Sequence, residues 1–384
     1  GTVRDSIAKA FDVEAEDVEY AHNLLTDYGK VAKIGKVEGE KGLKKVDLEL
    51  GRPFKVILAE NAPTLEEALE DAEDPAIEYK YDGMRTQIHK DGKDVTIFTR
   101  RLENVTHQFP DLANMVNESI AANKCIIEGE AVGLSPNGKD LVPFQKLSRR
   151  VHRKYDIEEM IDKIPVRLEL FDVVYAEGEN LMDKSQRERR KRLENIVEES
   201  DKVRLAKQLE TEDIDRAQEF YKEALDAGQE GLMIKNLNAE YKPGKRVGYW
   251  YKVKPVLETL DLVIIGAEWG TGKRGNWLSS YSLGIKDPNT GNFLEVGKLG
   301  SGLTEEQLEE MTNRLKPLIT ESNGREVKIK PEVVIEVKYN EIQKSPNYSS
   351  GYALRFPRLE SFREDKGPED SDTTKRLISL YEKQ

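Results

Sequence analysis

The chain has 384 residues, 38% hydrophobic and 34% charged, with a formal net charge of −12. That length accommodates two or three domains with sizeable cores; no apolar run approaches the roughly 20 residues of a membrane span, and the start Gly1-Thr2-Val3-Arg4-Asp5 carries no secretory signal, so a cytoplasmic protein without a membrane partner is expected. The single cysteine, Cys125, excludes an internal disulfide and a zinc site of several thiolates, and His22, His89, His107 and His152 lack metal-ligand spacing.

Thr2 is placed to cap a helical turn carrying Ile7, Ala8 and Phe11, and 18–25 repeats the apolar period. These helices are too small to form an independent core. Residues 35–50, rich in Gly, Lys and Glu, read as a connector into a new domain near Pro53. From there to about Pro255, strand patterns at 76–79, 85–90, 94–98, 124–132, 166–175, 231–235 and 249–254 alternate with helical patterns at 187–199 and 214–227, which predicts an α+β domain with antiparallel sheets. Beyond Glu258 the texture changes to short β runs at 260–267, 281–285, 293–299 and 333–339, with a helical pattern over 304–318, as in a small five-stranded barrel with one inserted helix. A terminal helix is expected over 373–384.

The net acidity argues against a polyanionic partner, because phosphate affinity comes from Lys and Arg. Basic runs at 146–154, 184–192 and 242–246 and at Lys273-Arg274 argue locally for one, and local patches outweigh the sum.

The chemistry centres on Glu78-Tyr79-Lys80-Tyr81-Asp82-Gly83-Met84-Arg85, a lysine ending a strand before an Asp-Gly turn. A lysine that attacks must be neutral, so such a site needs burial or neighbouring cations, carboxylates for a metal on a triphosphate, and a flat surface for a base. Glu128-Gly129-Glu130 follows a buried run and offers two acids for a ribose hydroxyl or a divalent metal. Phe171, in Leu170-Phe171-Asp172, offers a stacking ring. Glu230-Gly231-Leu232-Met233-Ile234-Lys235 repeats the pattern of an acid followed by a buried strand ending in lysine, and Lys252 and Lys254, two apart, share one strand face.

In this order, together with Arg363-Glu364-Asp365-Lys366, these segments resemble the motif set of ATP-dependent DNA ligases, closest to the archaeal and eukaryotic replicative types. The resemblance runs on through Gly272-Lys273-Arg274 and Leu354-Arg355-Phe356-Pro357-Arg358 to the end of the chain. It implies a remnant of a helical DNA-binding domain with a linker at 1–48, an adenylation (nucleotidyltransferase) domain at 49–257, and an OB-fold β-barrel domain with a C-terminal helix at 258–384. The implied activity is nick sealing in duplex DNA in replication, repair and recombination, with ATP and Mg²⁺ as cofactors.

By the same resemblance Lys80 becomes the adenylated lysine, Glu78 accepts from the adenine amino group, and Phe171 stacks on the adenine. Arg85 and Arg100 approach the ribose and the nick phosphate, Glu130 binds ribose or metal, and Glu230 holds Mg²⁺. Lys235, Lys252 and Lys254 contact phosphates. Arg363, Asp365 and Lys366 face the β- and γ-phosphates, while Phe144 and Phe356, with Arg355, Lys273 and Arg274, contact nicked double-stranded DNA. The helical DNA-encircling domain of the family is matched only by its final helices, so weaker, more salt-sensitive DNA binding is expected. A sliding clamp, reached through that domain, is a candidate partner, and a monomer is expected. The rival readings are an mRNA-capping guanylyltransferase or RNA ligase sharing the lysine nucleophile, and an inactive nucleic-acid-binding module, which would lack a catalytic group.

Overall fold

The computed structural model describes residues 1–151, 153, 155–246, 248–255, 258–300 and 302–382. The chain divides into two compact units, Gly1–Pro255 and Val256–Gln384. His152 and Lys154 of the basic run 146–154, the last two residues of the expected terminal helix, and Leu257 at the expected domain boundary lie outside the described residues.

Three helices open the first unit: α1 (Thr2–Phe11), α2 (Ala15–Leu25) and α3 (Tyr28–Lys44). Ile7, Val18, Ala21, Leu25, Val31 and Leu43 share a small apolar core. Thr2 lies within the first turn and Gly1 takes the cap position. The Asp27 carboxylate caps α3, accepting the N–H groups of Gly29 and Lys30 at 2.8 and 3.1 Å. The segment 35–50 therefore differs from the expected connector, because it stays helical to Lys44 with a kink at Gly39 (φ 62°, ψ −155°). Its glycine content hides the helix, although Gly35 is buried beside Phe11 and a Cβ there would make ordinary contact at 3.6 Å.

Two sheets follow. The first contains β1 (Pro75–Lys80), β6 (Gln208–Glu210), β7 (Gly231–Asn236) and β8 (Trp250–Val253), in the order β8-β7-β1-β6, with Glu60–Asn61 added parallel to β8. The second contains β2 (Met84–Asp91), β3 (Asp94–Thr99), β4 (Lys124–Leu134) and β5 (Val166–Ala176), in the order β3-β2-β4-β5. Helix α4 (Leu65–Asp71) and α8 (Ile214–Asp226) cover the first sheet, with Leu65, Ala68, Ala217 and Phe220 in one core with Ile77, Leu232 and Ile234. Helix α5 (Pro110–Ser119), α6 (Phe144–Val151) and α7 (Gln186–Ile196) belong to the core of the second sheet.

Strand β4 obeys the two-residue period. Cys125, Ile127 and Ala131 enter one core while Ile126 and Val132 enter the other, on the side of Glu128 and Glu130. Strand β5 breaks it: Glu128 pairs with Asp172 but Gly129 pairs with Leu170, so Phe171 is an extra, bulged residue. The bulge turns the Phe171 ring to the Glu128 side while Leu170 and Val173 stay in the opposite core.

In the second unit, β9 (Leu260–Trp269) pairs antiparallel with β10 (Leu278–Lys286), β13 (Glu326–Ile329) and β14 (Val334–Lys338). Strand β11 (Phe293–Leu299) pairs with β10, β12 (Ile319–Asn323) with β13, and β17 (Arg358–Phe362) with β14, while β15 (Glu341–Lys344) and β16 (Tyr352–Arg355) form a separate hairpin. Helix α9 (Glu305–Leu315), capped reciprocally by Thr304 and Gln307, adds Leu308, Met311 and Leu315 to a core with Leu262, Ile264, Leu283 and Ile285, and α10 (Thr374–Glu382) adds Leu377. Among the described residues nine strands thus stand where four were located and five expected. The additional ones are short; β12, Ile-Thr-Glu-Ser-Asn, is mostly solvent-facing and shows no apolar alternation, while β13, Glu-Val-Lys-Ile, alternates over only four residues.

Candidate active site

Lys80 ends β1 and the chain turns through Asp82-Gly83 into β2. Gly83 is required there: a Cβ would lie 2.6 Å from the Ala131 carbonyl oxygen, inside contact distance of β4. The Lys80 ammonium donates to the Glu230 carboxylate, and Lys254 Nζ lies 2.7 Å from the same carboxylate. Glu230 reaches this point because its N–H donates to the Lys80 carbonyl at 2.9 Å and because Gly231, at φ 142°, leaves no Cβ to meet the Val253 carbonyl of β8. Partial burial disfavours the Glu230 carboxylate, but Lys80 and Lys254 outweigh it and hold it well below the usual range. Burial, with help from Glu230 and Asp82, pushes the half-buried Glu130 carboxyl up to about 8 against the opposing charges of Lys80 and Arg85. Burial and the charges of Lys80, Lys254, Arg100 and Arg246 lower the Lys252 ammonium. Cations and two carboxylates thus converge on the Lys80 amine.

The opposite end of this face is buried, aromatic and lined with paired charges. Phe171 and Trp250 meet edge to face with centroids 6.0 Å apart. The Glu78 carboxylate, 2% exposed, lies 2.6 Å from Lys235 Nζ, accepts from Gln208 Nε2 at 2.9 Å, and has Arg190 at 4.0 Å. Burial lowers the Lys235 ammonium, against the pull of Glu78 and Asp172. Behind Phe171, Asp172 and Arg189 form a fully buried two-pronged pair at 2.9 and 3.2 Å. Arg85 donates to Glu128 and to the Ile57 carbonyl, each at 3.0 Å, with its guanidinium 5.4 Å from the Phe171 centroid; Tyr241 also donates to Glu128, at 2.9 Å. The slot ends in an aromatic wall with an acceptor and a donor at its base.

Residues 56–254 match the family of the ATP dependent DNA ligase domain, and residues 274–366 match the ATP dependent DNA ligase C terminal region. A DNA ligase of Thermococcus onnurineus (strain NA1) is 53% identical over 383 residues, covering 100% of this chain and 68% of the relative. The DNA ligase of Archaeoglobus fulgidus is 47% identical over 384 residues, with 100% and 68% covered. The chain belongs to the ATP-dependent DNA ligase family. A solved Lig E DNA ligase, 20% identical with a TM-score of 0.53 over 81% of this chain and 100% of that one, shares the fold, an adenylation domain followed by an OB-fold. The ligase is therefore an ATP-using enzyme, and the capping and RNA-ligase alternative is not favoured.

Of the residues singled out in the ligase sequence, the fold brings Lys80, Glu130, Glu230, Lys252 and Lys254 to one end of the cleft and Glu78 and Phe171 to the other. Lys235 lies with Phe171 and Trp250 at the aromatic end. The antiparallel register sets Lys80 opposite Gly231 and Ala76 opposite Lys235, which carries that lysine to the aromatic end. Arg85 lies in the wall, its terminal nitrogens bonded to Glu128 and to the Ile57 carbonyl. Arg100 is exposed, and burial of its stem with the charges of Arg85 and Arg246 lowers its guanidinium. Phe144 is half-buried against the second core, and its N–H donates to Asp82 at 3.0 Å, tying α6 to the Lys80 turn. In the second unit Phe356 is 57% exposed in a left-handed conformation (φ 51°), with the Arg355 guanidinium 5.4 Å from its ring. Lys273 and Arg274 lie exposed on a short 3₁₀ turn. Arg363 donates to both Asp261 oxygens at 3.1 Å and to Asp365, and Lys366 lies 2.5 Å from Asp261.

Several residues escaped the sequence reading. Asp261 carried a signal, a lone acid inside the apolar run Leu-Asp-Leu-Val-Ile-Ile. Arg246 lay in a recognised basic run without being singled out. Arg189 and Arg190 likewise lay in the recognised basic run 184–192, whereas Gln208 and Tyr241 carried no signal, because each is joined to the site only by tertiary packing.

Proposed function

We propose that this ligase seals nicks in duplex DNA through a lysyl-adenylate on Lys80. The Lys80 Nζ forms a bond to the α-phosphorus of ATP and gives up a proton, the bond from that phosphorus to the β-phosphate bridging oxygen breaks, and pyrophosphate leaves. AMP then passes to the 5′-phosphate of the nick, and the 3′-hydroxyl expels it. Lys254 and Lys252 stabilise charge on the transferring phosphorus, with Lys254 nearest the α-phosphate. Phe171 stacks on the adenine, and Glu78 accepts from its amino group. Arg100, joined by Arg246, receives the nick phosphate. Arg363, Asp365 and Lys366 act at the β- and γ-phosphates, and Phe144, Arg355, Phe356, Lys273 and Arg274 contact DNA.

The observation that supports this most is the Glu230 carboxylate shared by Lys80 and Lys254, which holds a nucleophile and a phosphate-binding cation at one point. Mg²⁺ fits the same end. Among the described residues no cluster of three or more His, Cys, Asp or Glu could enclose a metal, whereas Glu230 and Glu130 offer two carboxylates to an ion that keeps phosphate oxygens and waters as its other ligands. Bound there, it would neutralise triphosphate charge.

On this reading residues 1–48 are the end of a helical DNA-binding domain and its linker, 49–257 the adenylation domain and 258–384 the OB-fold domain with its C-terminal helix. The enzyme acts on DNA as a monomer, with a sliding clamp as a further partner. Among the described residues no helix is long and apolar enough to cross a membrane. Incubation with α-labelled ATP and Mg²⁺, followed by denaturation, should leave label on the protein and none on a Lys80→Ala variant. Absence of label, or label undiminished in the variant, would refute the assignment.

A further inference from the structure

The chain between β7 and β8 passes through a turn that rests on the N-terminal helices. The Lys245 N–H donates to the Lys242 carbonyl at 3.4 Å, with Pro243 and then Gly244, at φ 72°, in the two central positions, the pair that a type II turn favours. Asn23 of α2 packs against this turn. It is 3% exposed, and its Nδ2 donates to the Pro243 carbonyl at 2.9 Å. A Cβ on Gly244 would lie 2.9 Å from the same amide, so the turn leaves no slack there. The Asn23 carbonyl accepts the Lys55 N–H at 2.8 Å, and the segment starting at Lys55 holds the rest of the loop. The Val56 carbonyl accepts from Gly244 at 3.2 Å, Leu58 donates to the Lys245 carbonyl at 3.1 Å, and the Glu60 carboxylate accepts from Gly248 at 2.9 Å. Both supports of the loop therefore meet at Asn23.

Arg246 stands exposed on this loop, and its charge acts on Arg100 and Lys252. Among the described residues none of these three cations forms an ion pair. Like charges repel, so nothing in the side chains themselves keeps Arg246 near Arg100; the backbone of the loop must do so.

We propose that Asn23 is a positioning residue for the reaction, holding Arg246 beside Arg100 through the Pro243-Gly244 turn, so that the N-terminal helices set the geometry in which the nick phosphate is received. This rests on the reading of Arg246 as a phosphate-binding residue. A buried amide that served packing alone would change stability and leave the Arg246-dependent rate untouched.

The test uses the full chain, adenylated beforehand with α-labelled ATP and Mg²⁺ and freed of nucleotide. Transfer to a nicked duplex at subsaturating concentration is read in a single turnover as label leaving the protein, counted per adenylated molecule so that unfolded material does not enter. Arg246→Met and Asn23→Leu should each slow transfer by about ten- to a hundredfold, and the double variant should be no slower than Arg246→Met alone. Gly244→Ala, which presses on the Asn23 amide from the loop side, should behave as Asn23→Leu does, and decides in its place should that variant fail to fold. Losses that multiply in the double variant, or transfer by Asn23→Leu at the wild-type rate while Arg246→Met is slow, overturn this proposal alone. Arg246→Met at the wild-type rate removes the phosphate reading of Arg246, and a wild type that carries no label removes the ATP-site reading; either takes this proposal with it.

Discussion

The two ends of the cleft hold their charges differently. At the aromatic end Asp172, Arg189, Glu78 and Lys235 are at most 3% exposed and have fixed partners. At the lysine end Lys80, Glu230 and Lys254 are 21%, 29% and 41% exposed in their side chains, and one carboxylate serves two ammonium groups. Buried pairs cannot exchange partners without exposing a bare charge, so they fix shape. Half-exposed ones can be displaced by a triphosphate, so they suit a step in which charges change hands. One end is a mould and the other a relay.

The sharpest way to break this contrast is to cut one pair at each end. Arg189→Met leaves Asp172 buried without its partner, and should cost about 3–5 kcal/mol in urea unfolding, with adenylation lost only as far as the fold is lost. Lys254→Met should do the reverse. Unfolding should move by no more than about 0.5 kcal/mol, as for an exposed pair, while lysyl-adenylate formation should slow by about 10²–10³-fold. If Lys254→Met unfolds as readily as Arg189→Met, or adenylates at the wild-type rate, the division between mould and relay is wrong.

The same contrast marks what could be read from the sequence. The lysine end was legible because its residues sit within short motifs: Lys80 before Asp-Gly, Glu230 before Gly231, and Lys252 and Lys254 two apart. The aromatic end was only half legible. Phe171 was identified, yet its orientation depends on a bulge set by pairing with β4, which local sequence does not encode. Lys235 was identified too, but its place depends on which residue of β1 it faces, and that is a property of register. Helix α3 and strands β12, β15, β16 and β17 went unrecognised for a related reason, since glycine content and polar, exposed faces blur the periodicity on which such readings depend, while β13 alternates but over only four residues.

A buried base with no charged partner sharpens the contrast further. His89 lies in β2 with Nδ1 placed to accept the Gly51 N–H at 3.1 Å and Nε2 3.0 Å from Gln87 Oε1, an arrangement that suits the neutral ring protonated on Nε2. Burial lowers its pKa to about 3. Between the ordinary histidine value of about 6.5 and that value, the unfolded chain binds a proton that the folded chain does not. The His89 contribution is therefore complete above about pH 6.5 and declines as pH falls through this window, with a slope of at most about 1.4 kcal/mol per pH unit. His89→Asn should flatten the fall of the urea midpoint between pH 6.5 and 4 relative to the wild type. Identical slopes would refute the assignment.

The smallest expected effect lies in the second unit and carries the contrast from charge to backbone. Phe356, between β16 and β17, is exposed at φ 51°, a conformation that costs a bulky residue on the order of 1 kcal/mol and that glycine adopts freely. A large apolar ring held out in solvent on a strained backbone gains nothing for the fold, so its use lies in what it meets, and the assignment to the DNA contact supplies that use. Phe356→Gly should leave stability unchanged or raise it by up to about 1 kcal/mol, and leave lysyl-adenylate formation at the wild-type rate, while affinity for nicked duplex DNA falls in a mobility-shift titration. A loss of stability would mean that the ring packs for the fold. Unchanged affinity would remove Phe356 from the DNA-binding surface.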